Sequence, residues 1–286
     1  MSAWRTWWFP AVPLRRIAAL RVLLYLFVVW DAWRITTWPL SHGDVPAQLY
    51  RPILLFRALH VPAPTHVVTH LDLWVLTVTA LVAASGRLPR VAGAVCAIAY
   101  LYWLGNGFSY SKIDHDHVAL LVALLVLPSV GRAGARGGPS ESAGWAVRCI
   151  QVATVCTYFL ASLAKVRFGG WDWANGAVTT WAFSRRGNGL TDALQRIPFF
   201  VVGIQWIVIV AEFCSPVMLW LRGRALAAAI LFWGFFHLGT YLTLGIHFLP
   251  TVVCLLAFVP LERVSVRGLR QRWAGRAQAG VPPGRR

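Results

Sequence analysis

Residues 225–261 run for 37 positions without one Asp, Glu, Lys or Arg. A helix needs about 20 apolar residues to cross the hydrocarbon of a bilayer. The run is therefore too long for one crossing and suits two, joined near Gly245, His247 and Pro250. In lipid every backbone N–H and C=O must be paired within the protein, which leaves helices or closed barrels. The alternating pattern of a barrel strand is absent. The run supplies candidate spans 224–244 and 246–261, and six more precede it at 16–33, 71–87, 90–109, 116–130, 146–165 and 198–221. The expected fold is an all-α, polytopic integral membrane helix bundle of about eight transmembrane helices. Segment 116–130 is short for a full crossing.

Composition agrees. Hydrophobic residues make up 58% of the chain and charged ones only 13%, with a mean hydropathy of +0.60. Soluble domains carry about a quarter charged residues, so a disordered chain, a collagen and an ordinary soluble enzyme are excluded. The net charge of +17 would suggest nucleic acid on a polar chain. Here it reads as topology, because Arg and Lys collect on the cytoplasmic side of spanning helices, and no nucleic-acid partner is expected. Of 27 cations, 17 fall in one set of alternate loops and nine in the other, with Arg21 inside the first span. The excess places both termini in the cytoplasm of a cell-membrane protein. All eight histidines, both lysines and six of the ten acids then fall on or near the extracytoplasmic side, so titratable chemistry is expected there.

Three regions follow: an interfacial N-terminus, 1–13, carrying Trp4, Trp7 and Trp8; a transmembrane domain, 14–261; and a basic, disordered cytoplasmic tail, 262–286. The outer loops 34–70 and 166–197 are long and read as interfacial helices lying on the bilayer. Residues 131–144 are rich in Gly, Ala and Ser and read as a flexible inner linker. The five cysteines lie in apolar segments with no CxxC pair, so neither a disulfide nor a metal is expected from them. There is no internal repeat, no Gly-rich phosphate loop and no nucleophile elbow.

A few polar residues stand out. Lys165 closes a mostly apolar stretch; it is either an amine snorkelling to the interface or a desolvated Lys, neutral often enough to act as a base. The sequence Asp114-His115-Asp116-His117 opens the fourth span, where Asp can cap a helix and His can hydrogen-bond a ligand oxygen. Glu212 lies mid-span, as a protonated interhelix hydrogen bond or a proton relay or ligand contact. Asp31 closes the first span, where capping or interface chemistry suffices. His237 and His247 flank the turn between the last two spans. His66 and His70 have i, i+4 spacing but lie in a loop and lack the Glu of a zinc-protease motif, so no metal is assigned.

Four stretches resemble the horizontally transferred transmembrane (HTTM) domain family, which includes the membrane part of vitamin K-dependent gamma-glutamyl carboxylase. They are residues 21–31 (RVLLYLFVVWD), Asp114-His115 with the apolar run after it, residues 158–165 (YFLASLAK), and Phe236-His237 followed by residues 244–248 (LGIHF). The likeness covers about residues 14–261, and the stretch ending in Lys165 is its most specific part. The resemblance implies a bacterial plasma-membrane protein that uses a menaquinone-like quinol at the outer face. Lys165 would match the base that deprotonates the quinol, and His115 its quinol-binding neighbour; His237, Glu212 and His247 would line the pocket. In the carboxylase, reaction of the quinol with oxygen yields a strong base that takes a proton from a peptidyl Glu. The chain departs from that pattern: Ala164 precedes Lys165 where the carboxylase has a second Lys, and no counterpart of its large soluble substrate-binding region follows. The alternative is a non-enzymatic membrane factor for maturation, export or immunity of a small secreted peptide. Few intramembrane charges and no inverted repeat count against a transporter.

Overall fold

A computed structural model describes residues 2–134 and 137–263. Eight helices build the body: α1 (Leu14–Trp30), α2 (His66–Ala84), α3 (Val91–Tyr110), α4 (Val118–Val126), α5 (Glu141–Gly169), α6 (Phe200–Cys214), α7 (Gly223–Leu244) and α8 (Leu249–Cys254). Turns of 3-10 helix lengthen α4, α6 and α8 at their C-terminal ends. A π turn, Asp31–Ile35, continues α1. Five helices are long and apolar enough to cross a membrane: α2, α3, α5, α7, and α6 with its 3-10 extension. The protein is thus a helical bundle with the makings of a multi-pass membrane protein. The segments His115–Val130 and Leu249–Phe258 are apolar but shorter.

Boundaries follow local chemistry. Thr65 caps α2 by accepting from the Val68 N–H, and Ser140 caps α5 by accepting from Ala143; both hydroxyls satisfy an N–H left orphaned at a helix start. Glu141 in the first turn of α5 suits the positive end of the helix dipole. Two expectations are corrected here. His66 and His70 are not in a loop: they sit in the first turns of α2 with rings stacked 4.1 Å apart. The stretch 131–144 is not wholly a linker, because Pro139–Ser140 pairs with Val12–Pro13 and α5 has begun by Glu141. Residues 135–136 and the tail from 264 onward lie outside the described residues. The α7–α8 turn depends on Gly245, whose positive φ of 65° any Cβ would strain.

The main core gathers α1 to α4, the first half of α5 and Cys254 of α8. A smaller core joins Val155, Tyr158, Met218, Leu219, Trp233, Leu255 and Phe258. Along its whole length α7 buries only Trp233 and His237. A helix this apolar with so little covered has its solvent match in lipid. Of the long loops, 34–65 carries short helices Trp38–His42 and Leu54–Ala58, and 170–199 carries Ala177–Arg186 and Gly189–Gln195.

One end of the bundle is tied by arginines. Arg5 meets Glu141 at 3.4 Å, and Arg16 grips both oxygens of Glu262 at 2.6 Å. Arg148 donates to the Trp7 carbonyl. Arg21 belongs to this end too, since its buried guanidinium donates to the Gly131 carbonyl. Gly144 lies so close to the Pro10 carbonyl that a Cβ has no room.

Candidate functional site

Two helix faces meet at Lys165. On α5, Tyr158, Ser162 and Lys165 follow helical spacing and point the same way. On α6, Gln205, Ile209 and Glu212 are its three buried residues and form one stripe. Ser215, just past α6, donates to the Val155 carbonyl, ten residues before Lys165. Glu212 therefore lies deeper in the bundle than the Lys165 backbone. The Lys165 amine turns back to it, with Nζ donating to Oε2 at 2.6 Å. A side chain leaning towards its own helix N-terminus is ordinary geometry.

This replaces two expectations. Lys165 does not snorkel outward; it reaches inward, with 21% of its side chain exposed against 7% for Glu212. It also does not end its helix, which continues to Gly169. Glu212 Oε2 is thus tied to the Lys165 amine.

Around the pair lies an aromatic shell. The Trp173 ring centroid is 5.4 Å from Lys165 Nζ, a cation–π distance. Tyr158 stacks on Trp233 with centroids 3.8 Å apart, and its hydroxyl meets His237 Nε2 at 2.8 Å. His237 also faces Phe248, whose other neighbour is the His115 ring. Thus Lys165 and Glu212 are joined directly, and His237 is joined to their helix through Tyr158. His115 is exposed and makes no hydrogen bond to Lys165, although the two are close enough for their charges to interact. His247 is half-buried beside Phe248, with Nδ1 lacking a partner; no hydrogen bond ties it to the pair.

Next to this shell is a cavity of about 420 Å³. Trp173 lines it, as do Phe183, Phe200, Phe235 and Phe236, and its walls are mostly apolar. Its one buried amide is Gln205, of which 1% is exposed. The Gln205 carbonyl oxygen accepts from Gly176 N–H, which leaves Nε2 without a partner. An unpaired buried N–H is costly. Gln205, Trp173 and Tyr158 were missed as site residues. Tyr158 and Gln205 each stand two helical turns from a recognised residue, and that spacing was the available signal.

A second polar cluster has a different character. Asp31 accepts from Tyr100 and Thr36 hydroxyls, each at 2.8 Å, and His117 Nε2 lies 3.5 Å from its other oxygen. His117 Nδ1 lies 3.1 Å from Asp116. Asp31 is therefore the hub of a buried polar cluster, not a simple helix end, although its Oδ1 and His117 Nε2 make no hydrogen bond. Asp114 makes no cap bond and pairs instead with Lys112 at 2.9 Å. The stacked His66 and His70 gain no third ligand: among the described residues no three His, Cys, Asp or Glu side chains gather to hold a metal. All five cysteines are free.

No family model, no curated protein and no solved structure matches the chain.

Proposed function

We propose that the protein is an HTTM-like integral membrane enzyme of about eight spans in which Lys165 serves as a base towards a lipid-soluble quinol. The observation that carries this reading is the short Lys165–Glu212 pair, joined through Trp173 to an apolar cavity with one unpartnered donor. That cavity suits a ring with a carbonyl or hydroxyl on its rim, so the residues fit a quinol. Such a group, when bound, supplies an ionisable hydroxyl and two reducing equivalents. The chain's own residues do the rest. Gln205 Nε2 orients a ring oxygen. The aromatic walls exclude water. Glu212 accepts the Lys165 proton, leaving a neutral amine able to take the hydroxyl proton. Tyr158 and His237 form the next hydrogen-bonded pair along the same helices.

The cation count supports an extracytoplasmic position for the Lys165 end, with both termini in the cytoplasm. The test is extraction of purified protein for menaquinone, combined with quinol oxidation by normally inserted variants. Retained quinone in the wild type, with oxidation lost in both Lys165→Ala and Lys165→Arg, supports the base. Full activity in both variants overturns it and leaves the non-enzymatic peptide-maturation factor as the reading.

A further inference from the structure

The arginine-tied end contains a second cavity, of about 710 Å³, between the N-terminal segment, α5, the 3-10 turn after α6 and the start of α7. Arg16, Arg148, Arg222, Arg263 and Gln151 supply its polar wall, and no Asp or Glu lines it. Arg16 is neutralised by Glu262. Arg148 and Arg222 have no carboxylate partner among the described residues, and they stand close enough for like charges to repel.

Arg148 is nine-tenths buried, with 8% of its surface exposed. Its Nε donates to the Trp7 carbonyl at 3.1 Å and its Nη1 to Gln151 at 2.9 Å, while the guanidinium lies 4.5 Å from the Trp7 ring centre. These contacts fix the fork and leave Nη2 without a protein partner. Arg222 lines the same cleft, with Nη1 donating to the Leu219 and Leu221 carbonyls; two guanidiniums without a carboxylate in one cleft call for an anion, and the planar fork matches a phosphate. The opposite wall is apolar: Leu226, Ile230 and Leu231 line it along α7, the helix with the least covered surface. The residues after 263 carry six Arg and no acid, so that segment does not complement the site by charge.

We propose that this cleft binds the headgroup phosphate of an anionic membrane phospholipid, with Arg148 and Arg222 on the phosphate and one acyl chain along α7. Basic pockets between spanning helices are a known form of lipid recognition. The site lies at the end of the bundle away from Lys165 and does not depend on the redox reading.

The experiment is lipid titration of the full chain in neutral detergent, read by native mass spectrometry. The probes are phosphatidylglycerol, phosphatidylcholine and inorganic phosphate. One retained phosphatidylglycerol per chain is expected, with weak phosphatidylcholine binding. Arg222→Gln should weaken phosphatidylglycerol roughly fivefold, and adding Arg148→Gln should weaken it further. Arg148 also anchors Trp7, so exposed Arg222 gives the cleaner variant and Leu226→Glu tests the chain wall separately. Equal binding of both lipids, unchanged affinity in Arg222→Gln, or full competition by inorganic phosphate would overturn the proposal. The last would mark a site for soluble anions.

Discussion

Two buried polar clusters, built from similar residues, have opposite surroundings. Asp31, Tyr100, Thr36, His117 and Asp116 lie inside the main core, where Asp31 has no exposed surface. Lys165, Glu212, Tyr158 and His237 lie where α5, α6 and α7 meet, beside an apolar cavity with an unpartnered Gln205 donor. The first cluster lies away from any such cavity, and the Asp31 contacts to Tyr100, Thr36 and His117 hold the end of α1, α3 and the start of α4 together. The second is separated from a cavity only by Trp173, which touches both. Burial alone does not distinguish the two clusters; the neighbouring cavity does.

The strongest way to break the comparison is to cut the Asp31 cluster. Asp31→Ala removes the acceptor of two buried hydroxyls and the carboxylate beside His117 and should cost about 3–5 kcal/mol. In a detergent unfolding series it should abolish folding or lower the midpoint steeply, whatever ligand is added. Glu212→Gln should cost less, about 1–3 kcal/mol, because Lys165 is partly exposed and can find water. A Lys165→Met, Glu212→Leu double variant should recover most of that loss while still failing to oxidise quinol. Recovery of oxidation together with stability would erase the distinction between the clusters. Trp173→Ala removes a cation–π contact of about 1 kcal/mol and a wall of the cavity. Its effect on quinol retention should therefore exceed its effect on stability.

The smallest effect belongs to the arginine end. The bidentate Arg16 guanidinium holds the Glu262 carboxyl below its ordinary value. A depressed carboxyl stabilises the fold fully above about pH 4.5 and loses that contribution as pH falls through its lowered value. Glu262→Gln should cost about 1 kcal/mol at neutral pH. It should also flatten the acid limb of the stability–pH curve; an unchanged limb would remove the pair from the account.

The apolar elements were legible because hydrophobic length is a local property: every candidate span coincides with a helix, shifted by a few residues at its ends. Caps shifted those ends. Thr65 and Ser140 start helices earlier than hydropathy alone indicates, since a hydroxyl that satisfies an orphan N–H outweighs a few polar residues. Lys165 and Glu212 were each visible in the sequence, but their partnership was not. They are 47 residues apart, and only the packing of α5 against α6 joins them. Asp31 was misread for the same reason, because two of its partners, Tyr100 and His117, come from other segments. Gln205 gave only its two-turn spacing from Glu212 as a sign, since the cavity it lines is formed by aromatics distant in the sequence.

The lysine count offers the most direct test of the central claim, that the Lys165 amine communicates with the apolar cavity. Reductive methylation with a 13C label would yield side-chain resonances from only Lys112 and Lys165, assignable with Lys112→Arg. Addition of a soluble naphthoquinol should shift the Lys165 signal and leave exposed Lys112 in place, and Gln205→Leu should abolish the shift. A Lys165 signal that does not move in folded protein, or one that moves no more than Lys112, would contradict the account.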